Sequence, residues 1–195
     1  MFNIAVLTSG MSRGSNLEAM ANYFHANQLP VRVSVVIITK KNAPVAEVCN
    51  RLNLPCFYIP YHLQHQFEEE VLLMIQQKGI QLVALAGFLK KLSPKFIRDA
   101  SVPILNIHPA LLPDFGGEGM YGVNVHEAVF NSGAKVSGAS VHLVDSSYDH
   151  GNIIAQLTVD ISDCKDKNDI ATKVLSVEHQ LYGKAIWEYL SKIYS

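Results

Sequence analysis

Cysteine, charge and long apolar runs are all scarce in this sequence, and each shortage excludes a class of protein. The three cysteines, Cys49, Cys56 and Cys164, lack CxxC spacing and are odd in number, so they build neither a disulfide framework nor a zinc site. Reduced thiols and a cytoplasmic location are the expectation. Charged residues make up 17% of the chain and balance to a formal −1, which leaves no basic surplus for a nucleic-acid partner. No apolar run approaches the roughly 18 residues of a membrane span. From Met1 the chain enters an apolar segment with no basic start and no cleavage-like stretch, so an unprocessed protein away from the membrane is expected. Abundant instead are hydrophobic side chains, 49% of 195 residues, a globular composition large enough for one sizeable core. No repeat or linker divides the chain, and a single domain over residues 1–195 is expected.

Apolar runs alternate with helical spacing along the first half. Ile4 to Thr8 reads as a buried strand ending in Ser9-Gly10, and Ser15 to Ala26 as a helix with Leu17, Met20, Ala21 and Phe24 on one face. Strands are predicted at 31–38, 56–59 and 82–85, and helices at 44–52 and 66–78. Such alternation predicts an α/β fold, a Rossmann-like and mostly parallel sheet with helices on both faces. The second half reads as a strand over 104–107 ending in His108-Pro109 and a helix over 124–131. Two strands, 137–144 and 153–159, follow with a tight polar connection, then a long helix over 168–194. The sheet is therefore expected to finish with antiparallel strands. Ligands of open α/β sheets sit beyond the carboxyl ends of the strands, which selects residues 9–16, 87–92 and 106–109.

Three segments in this region carry chemistry. Residues 9–17, Ser-Gly-Met-Ser-Arg-Gly-Ser-Asn-Leu, place glycines and small polar residues between a strand and a helix. Backbone N–H groups and the helix dipole there suit a phosphate, with Arg13 adding charge. The plain alternative is a tight turn with Ser15 as a helix cap. In Asn106-Ile107-His108-Pro109, strand alternation sends Asn106 and His108 to one side, where a carboxamide and an imidazole suit an oxyanion at a carbonyl carbon. Pro109 ends the strand. In Val141 to Gly151, both Asp145 and Asp149 are eligible to face His108, and at least one is expected to shape the turn instead. Among the eight histidines, His108, His126, His142 and His150 are candidates to converge. No HExxH or paired spacing accompanies them, and no metal is expected.

Taken together, these segments resemble the phosphoribosylglycinamide formyltransferase family over nearly the whole chain. The resemblance rests on Ser9-Gly10 with Gly14-Ser15-Asn16-Leu17, on Leu85-Ala86-Gly87-Phe88-Leu89 with Leu92-Ser93-Pro94, and on Asn106-Ile107-His108-Pro109 with Leu111-Leu112-Pro113. It continues in Gly138-Ala139-Ser140-Val141-His142, in Asp149-His150-Gly151, and in Glu178-His179 near Tyr182.

The resemblance implies the formyltransferase fold, with residues 1–100 as the phosphate-binding half and 101–195 as the folate-binding and catalytic half. It implies transfer of a formyl group from 10-formyltetrahydrofolate, as co-substrate, to the amine of glycinamide ribonucleotide, by a monomer or homodimer without metal. Arg13, Gly14, Ser15 and Asn16 would hold the phosphate and Glu178 the ribose. Asn106, His108 and Asp149 would be catalytic, supported by Pro109, Ser140 and His142. Leu89, Lys90, Lys91 and Leu92, with Asn106, Val144 and Asp145, would clasp the folate. The chain departs from the family pattern in a longer first loop, in Lys90-Lys91, in Gln64 where an arginine is common, and in the glycine-rich stretch 116–122. Other readings are a formyltetrahydrofolate deformylase, a sugar-nucleotide N-formyltransferase and a nucleotide-binding module without turnover; a methionyl-tRNA formyltransferase is disfavoured, because it needs an added tRNA-binding domain and basic character. The segment from Val144 to Asp149, poor in apolar anchors, is expected to be mobile without ligand.

Overall fold

A computed structural model describes residues 1–9 and 13–194. Within it the chain runs β1 (Phe2–Thr8), α1 (Ser15–Ala26), β2 (Val31–Ile38), α2 (Val45–Arg51), β3 (Cys56–Tyr58), α3 (Gln64–Gln77) and β4 (Leu82–Leu85). It continues through α4 (Pro94–Asp99), β5 (Ile104–His108), α5 (Val123–Asn131), β6 (Val136–Leu143), β7 (Ile153–Asp160) and α6 (Lys167–Ile193). The seven strands form one sheet in the order β3-β2-β1-β4-β5-β6-β7. The first five are parallel, and β6 and β7 run antiparallel.

Alternating side chains explain the two-faced core. Ile4 and Val6 of β1 pack with α1, α2 and α6, while Ala5 and Leu7 pack with α3 and α4 on the other face. Helix α6 supplies the longest apolar stripe, with Val174, Val177, Leu181, Tyr182 and Ile186 all buried at helical spacing. The Tyr182 hydroxyl lies 2.9 Å from the carbonyl oxygens of both Leu85 and Leu105, tying α6 to the centre of the sheet.

Strand order reverses between β1 and β4, and there the carboxyl ends meet. The Ser9 amide donates to the Gly87 carbonyl at 3.1 Å, and the Ser9 hydroxyl accepts from the Leu89 amide.

Three details differ from the sequence reading. Residue Ser15 is the first of α1 and not its cap; Gly14 holds the cap position at φ 83° with no side-chain bond. A side chain there would meet Val45 at 2.7 Å, so glycine answers both a left-handed backbone and a close neighbour. The connection between β6 and β7 is not tight, because residues 144–152 form a loop that returns to the cleft. Helix α4 went unread because six residues are too few to show a period. Its start is nonetheless signalled by Ser93-Pro94, where the Ser93 hydroxyl accepts from the Phe96 amide at 3.0 Å.

Candidate active site

A cleft of about 740 Å³ opens at the carboxyl ends of β4 and β5, within the size range of small-molecule sites. Its walls come from the 85–92 segment, from Asn106 to Pro109, from the glycine-rich stretch 117–122, and from the loop 144–149, with Asn16, His126, His142 and Glu178 closing the remainder.

Strand pairing creates the polar centre. Asn106 pairs with His142 and His108 with Ser140 across β5 and β6, so period-two alternation on both strands puts the carboxamide and two imidazoles together. Asn106 Nδ2 lies 3.1 Å from His142 Nε2. His142 Nδ1 faces the Leu143 carbonyl at 2.8 Å, and a carbonyl only accepts. That nitrogen therefore carries the proton, and in the neutral ring Nε2 accepts from Asn106. His108 Nε2 donates to the Phe115 carbonyl at 2.7 Å by the same reasoning.

The loop after β6 decides between the two aspartates. Asp145 accepts from the Ser147 amide at 2.8 Å and shapes a local turn. Asp149 adopts φ 56°, a left-handed conformation that short polar residues tolerate best. Its carboxylate sits 3.6 Å from His108 Nδ1 and 3.4 Å from His142 Nε2, and it accepts from the Gly117 amide at 3.0 Å. Gly151 lets the loop return to β7, since a Cβ there would lie 1.8 Å from the Leu143 carbonyl oxygen.

Burial and charge oppose one another across this group. Burial pulls the His108 imidazole below its ordinary pKa, while the Asp149 charge and the Phe115 carbonyl pull it back up in part. For Asp149 burial is the largest single influence and raises the carboxyl. Contacts with His142, His108 and the Gly117 amide together outweigh it, and the net shift is downward. Glu178, on α6, is pushed up to about 7 by burial, against a smaller opposing pull from Asn16.

Supporting residues fall into two groups. The Ser140 hydroxyl, fully buried, donates to the Ala110 carbonyl at 2.7 Å and accepts from the Leu112 amide at 3.0 Å, holding the chain that leaves Pro109. On the opposite wall, Tyr61 Oη and Gln64 Nε2 both donate to the Lys91 carbonyl, at 2.8 and 3.0 Å. Buried Glu68 receives the Ser93 amide and hydroxyl at 2.7 and 2.6 Å. The Lys90 and Lys91 ammonium groups lie over the rings of Tyr61 and Tyr148 respectively.

Of the residues singled out from sequence, Leu89 to Leu92, Asn106, His108, Pro109, His142, Val144, Asp145, Asp149, Asn16 and Glu178 line the cleft. Arg13, Gly14 and Ser15 do not line it, and residues 10–12 lie outside the described residues. The sequence reading missed Glu118, Met120 and Tyr121 as cleft residues, and considered His126 only as a metal ligand. Their sole sequence signal was the run of glycines from 116 to 122, which lets a loop fold back over the strand ends. Among the described residues no group of three or more His, Cys, Asp and Glu side chains is arranged to hold a metal ion, and no helix is long and apolar enough to cross a membrane.

Comparison with known proteins gives a consistent match. Residues 2–186 match the formyl transferase family model. The chain is 34% identical over 187 residues to the chloroplastic phosphoribosylglycinamide formyltransferase of Arabidopsis thaliana, covering 94% of this chain and 63% of that one. It thus spans less than two thirds of the plant relative's length. It is 30% identical over 193 residues to the phosphoribosylglycinamide formyltransferase of Bacillus subtilis, covering 97% of this chain and 95% of that one. The crystal structure of glycinamide ribonucleotide transformylase 1 from Symbiobacterium toebii superposes with a TM-score of 0.87 at 30% identity, covering 98% of this chain and 89% of that one.

Proposed function

This chain belongs to the formyl transferase family, and we propose that it transfers a formyl group from 10-formyltetrahydrofolate to the amine of 5-phosphoribosylglycinamide, a step of purine synthesis. The observation that carries this reading is the meeting of Asn106, His108, His142 and Asp149 on one wall of a cleft roomy enough for two reactants. The phosphate lies toward Arg13, Gly14, Ser15 and Asn16, the ribose at Glu178, and the folate against Leu89 to Leu92 and Val144-Asp145.

The amine attacks the formyl carbon, and negative charge gathers on the formyl oxygen. Asn106 and His108 stabilise that charge; one preorganised donor contributes roughly 3 kcal/mol. His108 Nε2 now points at the Phe115 carbonyl, so reaction requires this N–H to change partner. A developing oxyanion is a stronger acceptor than a neutral carbonyl and favours the exchange. Asp149 supports the imidazolium of His108 by its charge. Holding both reactants in one cleft contributes further, roughly 7–11 kcal/mol at best. The reaction is placed in the cytoplasm, on a monomer or homodimer.

The test is formyl transfer from 10-formyltetrahydrofolate with and without glycinamide ribonucleotide, followed by folate absorbance. Donor consumption that needs the nucleotide is expected. Consumption without it identifies a deformylase, and none in either tube overturns the reading.

A further inference from the structure

Behind the wall formed by Leu89 to Leu92, helix α3 carries Gln64 and Glu68, one turn apart on the same face. Gln64 Nε2 donates to the Lys91 carbonyl at 3.0 Å and to Glu68 Oε1 at 2.9 Å. Glu68 Oε1 also accepts from the Ser93 amide at 2.7 Å, and Oε2 accepts from the Ser93 hydroxyl at 2.6 Å. The helix pair thus grips two backbone positions, 91 and 93, on either side of Leu92. Tyr61, Gln64, Glu68 and Ser93 all stand outside the cleft lining, whereas Lys91 and Leu92 belong to it.

Glu68 is 6% exposed, and a carboxylate is costly to bury unless donors surround it. Capping α4 does not explain that cost. The Ser93 hydroxyl already accepts from the Phe96 amide. In a capping box, the third helical residue returns the favour by accepting the amide of the cap. Phe96 holds that position here, and Glu68 reaches across from α3 in its place. Water would satisfy a single amide at this half-buried serine. Glu68 does more, because it takes three donors from two segments and locks residues 91–93 onto α3.

The lock reaches the cleft through peptide geometry. The Lys91 carbonyl is held by Tyr61 and Gln64 on the side away from the cleft. A planar trans peptide then turns the Leu92 N–H to the opposite side, where Leu92 borders the cleft. Loss of the grip at Glu68 frees this peptide to rotate.

We propose that Glu68 is a positioning residue for formyl transfer, one that fixes the 89–93 wall from behind and so sets the affinity for the folate donor without touching it. The inference rests on the formyl-transfer reading above, with the folate against this wall.

The experiment measures formyl transfer by the wild type, E68Q and S93A, with the KM for each substrate, calorimetric binding of tetrahydrofolate and thermal unfolding. E68Q keeps the size of the side chain but sets an NH2 group against donors. Its KM for 10-formyltetrahydrofolate and its Kd for tetrahydrofolate are expected to rise about tenfold, the scale of hydrogen bonds to a charged group. The KM for the nucleotide and kcat at saturating donor stay at their wild-type values, a split that general loosening of the fold does not produce. An unchanged donor KM in E68Q, or a rise shared equally by both substrates, overturns the role of Glu68 and leaves formyl transfer standing. Absence of transfer by the wild type overturns both. If E68Q fails to fold, S93A decides: its donor KM should rise about threefold, the worth of one hydrogen bond, and an unchanged value overturns the proposal.

Discussion

Asn16 Nδ2 donates to Glu178 Oε2 at 2.6 Å, joining the first turn of α1 to the middle of α6 across 162 positions of the chain. The bond ties the proposed phosphate loop to the proposed ribose contact, so the two halves of one nucleotide would be gripped by a single unit. It also holds a carboxyl group that is 8% exposed.

A pH dependence of stability follows from that carboxyl. Burial raises Glu178 from its ordinary 4.5 to about 7 in the folded state, so between these values the folded protein binds more protons than the unfolded one. Stability from this group is complete below about 4.5 and is lost as pH rises through about 7. Urea unfolding at pH 5 and pH 8 should show a larger drop for the wild type than for E178Q. Equal drops would place Glu178 outside this linkage.

Asn106 and His108 lie on the buried central strand β5, yet neither contributes to an apolar cluster. N106A and H108A should therefore keep the fold by circular dichroism while turnover falls roughly 100-fold or more, as when an oxyanion donor is removed. Near-wild-type rates in both would rule out their assignment.

Replacement of Asp149 separates charge from shape. In D149N the His108 imidazolium loses its counter-charge at 3.6 Å, while burial still pulls its pKa down. Less of it is protonated at neutral pH, so turnover should fall and the optimum of the residual activity should move toward acid. A pH profile of unchanged shape in D149N would show that this charge does not tune His108.

Gln64 stands where the family resemblance suggests a folate-tail cation, but its amide holds the Lys91 carbonyl together with Tyr61. Q64A should raise the KM for the formyl donor only about threefold, the worth of one exposed hydrogen bond. The Y61F/Q64A pair should exceed the sum of the single changes, because both donors serve one acceptor. The KM for the nucleotide should not move.

The loop 144–149 is fastened at its ends and open between them. The Val144 amide donates to the Ile104 carbonyl at 2.8 Å, and Asp149 is held by Gly117 and the imidazoles, whereas Ser146, Ser147 and Tyr148 are exposed. Limited proteolysis should cut between the anchors in the free enzyme and be suppressed by folate. Identical cleavage with and without folate would remove this loop from the proposed folate site.

Much of the architecture was legible along the chain because neighbours in sequence encode it. The run Ile4 to Leu7, buried on both sides, announces a central strand, and the stripe from Val174 to Ile186 announces the closing helix. Alternation alone sends Asn106 and His108 to one side, since a strand repeats every two residues. Contacts between distant segments leave no such period. Spacing left Asp145 and Asp149 equally eligible and only the family resemblance pointed to Asp149; the geometry that favours it comes from where a nine-residue loop lands and from a left-handed turn at Asp149. Only the tertiary structure bonded Asn16 to Glu178, set the Phe115 carbonyl on His108 and brought an unpaired His126 into the cleft wall. Local spacing determines which face a side chain takes, and long-range packing determines what that face meets.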